Sequence, residues 1–412
     1  MRITTLQQHK TGLANMLRNQ EELNKTQNQV ASGRRVLTPA DDPVAATKIL
    51  QLEQDLAQRE QFETNMTAAE NRLRLEESTL ASITDYFARL KELTVQAGGG
   101  TNTISDRQAI AAEVSQIQGA LVDMFNSRDA NGEYVFGGFK GSEPPFQQQP
   151  NGRYEYVGDE GQRFVTIGSA TTVATGDSGK GLFVDVESAG DGFTTEVNPL
   201  NRGTLAINAG FVVDKEAYAD FYPDDIIITF NAEAAIDPAE PNYTVRRASD
   251  NRVISGLVNQ PYIEGQELVI AGVAVTLSGE PQPGDQVMTR SSPKQSVTDT
   301  LYRLADGLNT LGDNTTDSET LKNLLSDTLT NLDNALASVS QVQSKLGARL
   351  NVVDSTRALS ADIKLVNEEV LSELQDVDMA EAVSRLSLQT TLLEAAQQSY
   401  TTISRLSLFN KM

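Results

Sequence analysis

The sequence predicts an α+β, multidomain rod of 412 residues, in which long N- and C-terminal helices pair as a coiled coil or bundle and a mainly β insertion fills the middle. Three observations carry that prediction. Apolar residues recur every seven positions at both chain ends, the spacing of a coiled-coil seam. A glycine- and proline-rich centre holds short alternating apolar runs. The helical period then returns, so helices flank the insertion on both sides.

At the N-terminus Leu6 and Leu13 stand seven apart, as do Met16, Leu23 and Val30, with Gln20 and Gln27 where core residues are expected. Residues 31–43 (ASGRRVLTPADDP) break this helix and turn the chain. Pro43 suits the first turn of the next helix, where a missing N–H does no harm and Asp41 and Asp42 can cap. That helix is expected to run to about Ala97, with Met66, Leu73, Leu80 and Phe87 on one face and Phe62, Ala69, Ile83 and Leu90 beside them. Gly98, Gly99 and Gly100 end it. A third helix from about Ser105 carries Ile110, Val114, Ile117, Leu121 and Met124.

From Asp129 to about Pro293 lie most of the chain's glycines, with alternating runs at Arg163–Ile167, Ile226–Phe230, Tyr243–Val245 and Leu268–Leu277. At Val297 the helical period resumes through Leu301, Leu304, Leu308 and Leu311. After a break at Gly312–Thr316, a second long helix places Leu325, Leu332, Val339, Leu346 and Val353 seven apart, backed by Leu329, Leu336 and Leu350. The phase then slips to a series through Ile363, Val370 and Val377, where one bundle is expected to hand over to the next. The last stretch, Asp376–Met412, reads as one helix: Met379, Leu386, Leu393 and Tyr400 form one row, Ala382, Ala396 and Ile403 the other, with Gln389 at a core position. The expected domains are therefore nested, 1–45 with 362–412, 46–135 with 296–361, and 136–295 as the β-rich outer part.

Composition narrows function. A formal charge of −22 argues against nucleic acid or an anionic membrane as partner. The acidity is concentrated in the middle: residues 129–297 carry 24 acidic and 11 basic side chains, a net −13, whereas the first fifty have seven basic and four acidic, a net +3. No run approaches a membrane span, and no apolar signal-peptide core opens the chain. There is no cysteine, and His9 is the one histidine, so thiol sites, a zinc-protease motif and a Ser-His-Asp triad are excluded. No cofactor or metal set is expected: Gly98–Gly100 and Gly137-Gly138 lack the context of a phosphate loop, and the Asp/Asn/Gly content shows no EF-hand spacing. Asp41 and Asp42 suit helix capping, and an interface bridge with Arg34 or Arg35 is the alternative. An enzyme on the β insert has no catalytic constellation to work with. An adhesin with a β head on a helical stalk would need exposed aromatics, and the chain has no tryptophan and 6 % aromatics.

The two terminal stripes are thin. Pattern alone leaves open whether they form an ordinary intramolecular coiled coil or need neighbouring molecules to complete their burial. Met1-Arg2-Ile3, residues 30–46 (VASGRRVLTPADDPVAA), 75–82 (LEESTLAS) and 126–146 (NSRDANGEYVFGGFKGSEPPF), together with the Ser407-Leu408-Phe409 ending, resemble the bacterial flagellin superfamily, and within it the hook-associated members. The similarity covers about the first 146 residues and 296–412. Pro43 after the paired aspartates is the hook-associated habit; flagellins usually place small residues there.

The resemblance implies a non-enzymatic structural subunit at the hook–filament junction, exported unfolded by the flagellar type III apparatus to the extracellular flagellum. Terminal helices would line an inner tube and the bundle an outer one. Its partners would be other copies of itself in a ring, the first hook-associated protein, flagellin, and a cytoplasmic export chaperone near the C-terminal seam. The implied subunit interface comprises Leu6, Leu13, Met16, Leu23, Val30, Met379, Leu386, Leu393, Ala396, Tyr400 and Ile403, with Arg34, Arg35, Asp41, Asp42 and Pro43 in the turn. A filament-forming flagellin is the alternative, disfavoured by Pro43, the Met-Arg-Ile start and the acidic insert. The first forty and last forty-five or so residues are expected to order only on assembly.

Overall fold

The computed structural model describes residues 5–149 and 151–409, and side chains within 7–402 apart from residues 8, 9 and 150. Leu6 and Ile403, singled out above, lie outside the described side chains. Among the described residues there are seven α-helices: α1 (Thr5–Ser32), α2 (Pro43–Ala97), α3 (Ile104–Phe125), α4 (Lys215–Phe221), α5 (Val297–Thr310), α6 (Thr315–Gln375) and α7 (Met379–Phe409). The chain divides into two compact units. Unit 1 holds residues 1–66, 167–169 and 354–412; unit 2 holds 67–166 and 170–353.

The heptads set the helical core of unit 2. Leu73, Leu80, Ile83, Phe87 and Leu90 of α2, Val114 and Leu121 of α3, and Leu332, Val339, Leu346 and Val353 of α6 are all buried. At about 1.5–3 kcal/mol per fully buried large apolar side chain, these outweigh any capping term. Capping fixes the ends: the Thr103 hydroxyl accepts the Asp106 N–H at 3.2 Å while the Asp106 carboxylate accepts the Thr103 N–H at 2.9 Å, opening α3. The phase slip after Val353 lies inside α6, which continues unbroken to Gln375. The α-helix ends instead at Asp376–Asp378, where the Asp378 side chain accepts the N–H groups of Ala380 and Glu381 and starts α7.

The strands are β1 (Phe146–Gln148), β2 (Tyr154–Tyr156), β3 (Phe164–Thr166), β4 (Thr172–Ala174), β5 (Val186–Val197), β6 (Ala206–Ile207), β7 (Phe211–Val212), β8 (Ile226–Phe230), β9 (Asn242–Arg247), β10 (Gln260–Pro261), β11 (Glu267–Ile270), β12 (Val273–Ser278) and β13 (Gln286–Gln295). Antiparallel pairing gives a five-stranded sheet, β10-β9-β8-β13-β5, a sheet in which β12 is flanked by β11 and by β6 and β7, and the hairpins β1-β2 and β3-β4. Inward-facing Ile226, Ile228, Phe230, Val245, Val275, Leu277 and Val287 share one core with Phe193 and Tyr218. Pro293 falls where the β5–β13 register shifts, the place in a ladder where a missing N–H costs least.

The run Leu268–Leu277 reads as one alternation, but it folds as a hairpin. Ala271 and Gly272 both take positive φ, 47° and 82°, as a two-residue hairpin turn requires. A Cβ at Gly272 would stand 2.3 Å from the Asp214 carbonyl oxygen, so only glycine fits. Asp214 itself caps α4, a short helix within the β region.

Two arginines tie helix to sheet inside unit 2. Arg153 donates to Asp299 of α5 at 2.9 Å and to the Thr195 carbonyl at 2.9 Å. Arg303 of α5, almost wholly buried, donates to the carbonyls of Ala209 and Phe193 and to Gln295 Oε1, with its guanidinium 4.2 Å from the Phe193 ring centroid. Aromatic packing completes the joint, Phe183 stacking on Phe125 with centroids 4.0 Å apart.

Candidate assembly site at the chain termini

Helices α1 and α7 pack on each other along matched stripes. On α1 the partly or fully covered positions Gly12, Met16, Asn19, Leu23, Thr26 and Val30 alternate by four and three; on α7 Ala382, Leu386, Gln389, Leu393, Ala396 and Tyr400 do the same. The pair runs antiparallel, with the Tyr400 ring against Gly12 near one end and the Val377 N–H donating to the Gly33 carbonyl at the other. Gly12 faces that ring closely: a Cβ there would stand 3.3 Å from Tyr400 Cδ2.

Of the residues singled out from sequence, Met16, Leu23, Val30, Leu386, Leu393, Ala396 and Tyr400 come together in this seam, all partly covered. Leu13 and Met379 do not: each is 49 % exposed and points out of the pair. The seven-residue spacing from Leu6 misplaced Leu13 by one step, because Gly12, not Leu13, shares a face with Met16 and Leu23. Leu17, Val383, Leu388 and Leu392 are likewise more than half exposed, leaving apolar surface outside a seam that itself contains Asn19, Thr26 and Gln389. Gln389 Oε1 is buried there with no hydrogen-bond partner among the described residues.

The turn after α1 is held by divided labour between the aspartates. Asp42 accepts the Ala45 N–H at 3.0 Å and caps α2, with Pro43 as its first residue. Asp41 instead closes the turn, accepting the N–H groups of Leu37 at 3.2 Å and Thr38 at 2.8 Å and pairing with Lys25 at 2.7 Å. Lys25 and the Thr38 N–H pull the Asp41 carboxyl down to about 2; the Ala45 N–H and Arg35 hold Asp42 below its usual value. Arg35 reaches the C-terminal end of α6: its N–H donates to the Gln375 carbonyl at 2.6 Å and its guanidinium to the Leu374 carbonyl at 2.8 Å. Arg34 bridges Asp376 through the backbone. Val36, Ala45 and Ile49 pack with Leu371 and Leu374 beneath this turn.

Sequence reasoning missed a polar cluster in unit 2. Glu76 occupies a core position, since 73, 76, 80, 83 and 87 alternate by three and four, and it is wholly buried. A carboxylate inside the stripe was the available signal. Its Oε1 accepts the Asp177 N–H at 3.2 Å; Arg349 of α6 grips the Asp177 carboxylate with both terminal nitrogens, at 2.6 and 3.0 Å; and Arg72 bonds Asp129 at 3.0 Å and Glu133 at 3.3 Å. Burial, and then the neighbouring Asp177 charge, push the Glu76 carboxyl up to about 8, against the pull of Arg349 and Arg72.

A raised folded value means the native state holds a proton that the unfolded chain releases near 4.5. The stabilisation from this proton is complete below about pH 4.5 and is lost as pH rises through 8, at up to about 1.4 kcal/mol per pH unit. Glu76→Gln, neutral throughout, is therefore expected to gain stability relative to the native protein as pH climbs from 5 to 8. Urea titrations at each pH check this; parallel curves would refute it.

Comparison with known proteins bears on the termini directly. A family model for the bacterial flagellin N-terminal helical region matches residues 3–140, and one for the bacterial flagellin C-terminal helical region matches residues 329–410, together more than half of the chain. The chain is similar to the flagellar hook-associated protein 3 of Salmonella typhimurium, 34 % identical over 188 residues, which are 46 % of this chain and 58 % of that one; this alignment thus spans less than two thirds of that relative. It is 24 % identical to the flagellar hook-associated protein 3 of Escherichia coli over 99 % of both chains. Among solved structures it resembles the flagellar hook associated protein-3 of Legionella pneumophila, with a TM-score of 0.54 at 28 % identity, over 79 % of this chain and 98 % of that one.

Proposed function

The chain belongs to the bacterial flagellin superfamily, and from that premise we propose that it is a structural, non-catalytic subunit of the flagellum joining the hook to the flagellin filament. The observation that carries this reading is the α1–α7 pair, whose seam is thin and whose outer surface exposes Leu13, Leu17, Val383, Leu388 and Leu392 among polar side chains. Ordering backbone costs about 1–2 kcal/mol per residue, and a two-helix seam with Asn19, Thr26 and Gln389 in it returns little of that. Leu13, Leu17, Val383, Leu388 and Leu392 gain their burial when further copies pack alongside in a ring. Folding of the ends is then coupled to incorporation, and the chain can travel unfolded through a type III channel before it assembles outside the cell. Copies of itself, the first hook-associated protein and flagellin are the partners this role requires, and a cytoplasmic chaperone that shields α7 before export fits its exposed apolar residues.

A cleft of about 270 Å³ in unit 2 is lined by Lys215 and Asp327, paired at 3.2 Å, by Arg303, which donates to two carbonyls, and by Asp191. A filament-forming flagellin remains the runner-up, and the insertion's net negative charge and Pro43 weigh against it. Deleting the gene and examining cells by electron microscopy, with an assay of the medium for flagellin, separates them. Bare hooks with flagellin shed as monomer is the expected result. Loss of flagellin from cells and medium alike would make this chain the filament subunit, and intact filaments would end both readings.

A further inference from the structure

Two polar atoms without partners in unit 2 converge on one spot. Glu76 Oε2 is buried and unbonded among the described residues, and so is the Nε of Arg72, one turn earlier on α2. Gly176 lies across from both. A methyl carbon placed there would stand 3.6 Å from Arg72 Nε, 3.7 Å from Glu76 Oε2 and 3.7 Å from the Val135 carbonyl oxygen. A hollow of about 10 Å³, lined by Arg72, Val135, Gly176 and Asp177 among others, adjoins this point. That is close to the room one water molecule needs, and buried waters typically make about three hydrogen bonds.

Gly176 has no other reason to be glycine. Its φ is not in the left-handed region, and an added Cβ would meet only ordinary van der Waals contacts. We propose that the space over Gly176 is a binding site for a single water molecule, held by the Arg72 Nε–H, Glu76 Oε2 and the Val135 carbonyl. The surrounding charges select a neutral ligand. A cation would sit against Arg72 with Arg349 nearby, and an anion would meet the Asp177 carboxylate. Arg72 can only donate and the carbonyl can only accept, so the occupant must do both. Burial keeps a proton on Glu76 near neutral pH, so its Oε2–H and the Arg72 N–H fill the water's two lone pairs while the water donates to Val135. The water thereby fastens α2 to the Val135 turn and to the segment around Asp177 that Arg349 of α6 holds.

Gly176→Ala in the full-length protein discriminates sharply. With no ligand present, alanine would raise the unfolding temperature slightly by restricting the unfolded chain. Displacing the water strands both polar atoms, so the expected result is a midpoint lower by roughly 3–6 °C; an unchanged or higher midpoint would overturn the site. A crystal structure of the native chain should show one water within hydrogen-bond distance of all three groups, whereas a direct bond from Arg72 Nε to Glu76 would refute it. Midpoints in sodium, potassium and choline chloride at equal ionic strength should coincide, and a rise specific to one metal ion would replace the water by that cation.

Discussion

Aspartate at both Leu386 and Leu393 is expected to leave cells with hooks but no attached filaments, while the β-bearing unit stays folded. Both leucines sit half-covered in the α7 face of the seam. Each forfeits about 1.5–3 kcal/mol of apolar burial on losing its side chain, and the new carboxylates would need further energy to enter a dry contact. A two-helix pair has no reserve against such a loss, since isolated helices owe most of their stability to packing. Unit 2 has its own heptad core, Leu73 to Leu90 against Leu332 to Val353, and shares no residue with the seam, so its thermal transition should not move. Swimming in soft agar and microscopy of hooks read the first half, and scanning calorimetry of the purified variant reads the second. Leu13→Asp with Leu17→Asp makes the complementary probe. These side chains lie outside the seam, so assembly should fail with the α1–α7 pair intact if neighbouring copies cover that face. Normal motility in both double variants would remove the termini from the assembly mechanism.

Where local chemistry and packing agree, the sequence was readable. Pro43 after two aspartates and three glycines from Gly98 bracket α2 at both ends, and Leu301, Leu304 and Leu308 mark the buried face of α5. Reading failed where one residue mattered more than the period. Ala271-Gly272 folds an apparently continuous strand back on itself because a positive φ at both positions makes a tight hairpin, and alternation on either side conceals it. The short helix α4 rests on the Asp214 cap and on burial of Tyr218 and Phe221, too few residues to show a helical period. In the seam the stripe advances by four and three, so a search for leucines seven apart selected Leu13 over Gly12. A glycine carries no hydrophobic signal, and its place is evident only once Tyr400 lies against it. The separation of Asp41 from Asp42 was invisible for a related reason: adjacent aspartates look equivalent until the turn points one at Thr38 and the other at Ala45.

Arg349→Leu is expected to cost about 3–5 kcal/mol of stability, the range for leaving one partner of a buried ion pair behind. The geometry supports the upper part of that range. Both Arg349 terminal nitrogens bond Asp177, whose side chain is 15 % exposed against 17 % for the arginine, so water can replace little of what is lost. Asp177 would then face buried Glu76 with Arg72 as the remaining nearby cation, and Arg72 is already engaged by Asp129 and Glu133. The loss should be largest above pH 8, where Glu76 also ionises, and smaller near pH 5, where it stays neutral. Asp177→Asn added to Arg349→Leu removes the stranded charge and should recover most of the loss, because the pair's net contribution is small compared with the penalty of breaking it. Urea unfolding of the two single variants and the double variant supplies the cycle. If the double variant is as unstable as Arg349→Leu alone, the arginine acts through its packing against the helices, and the carboxylate cluster does not control the stability of this unit.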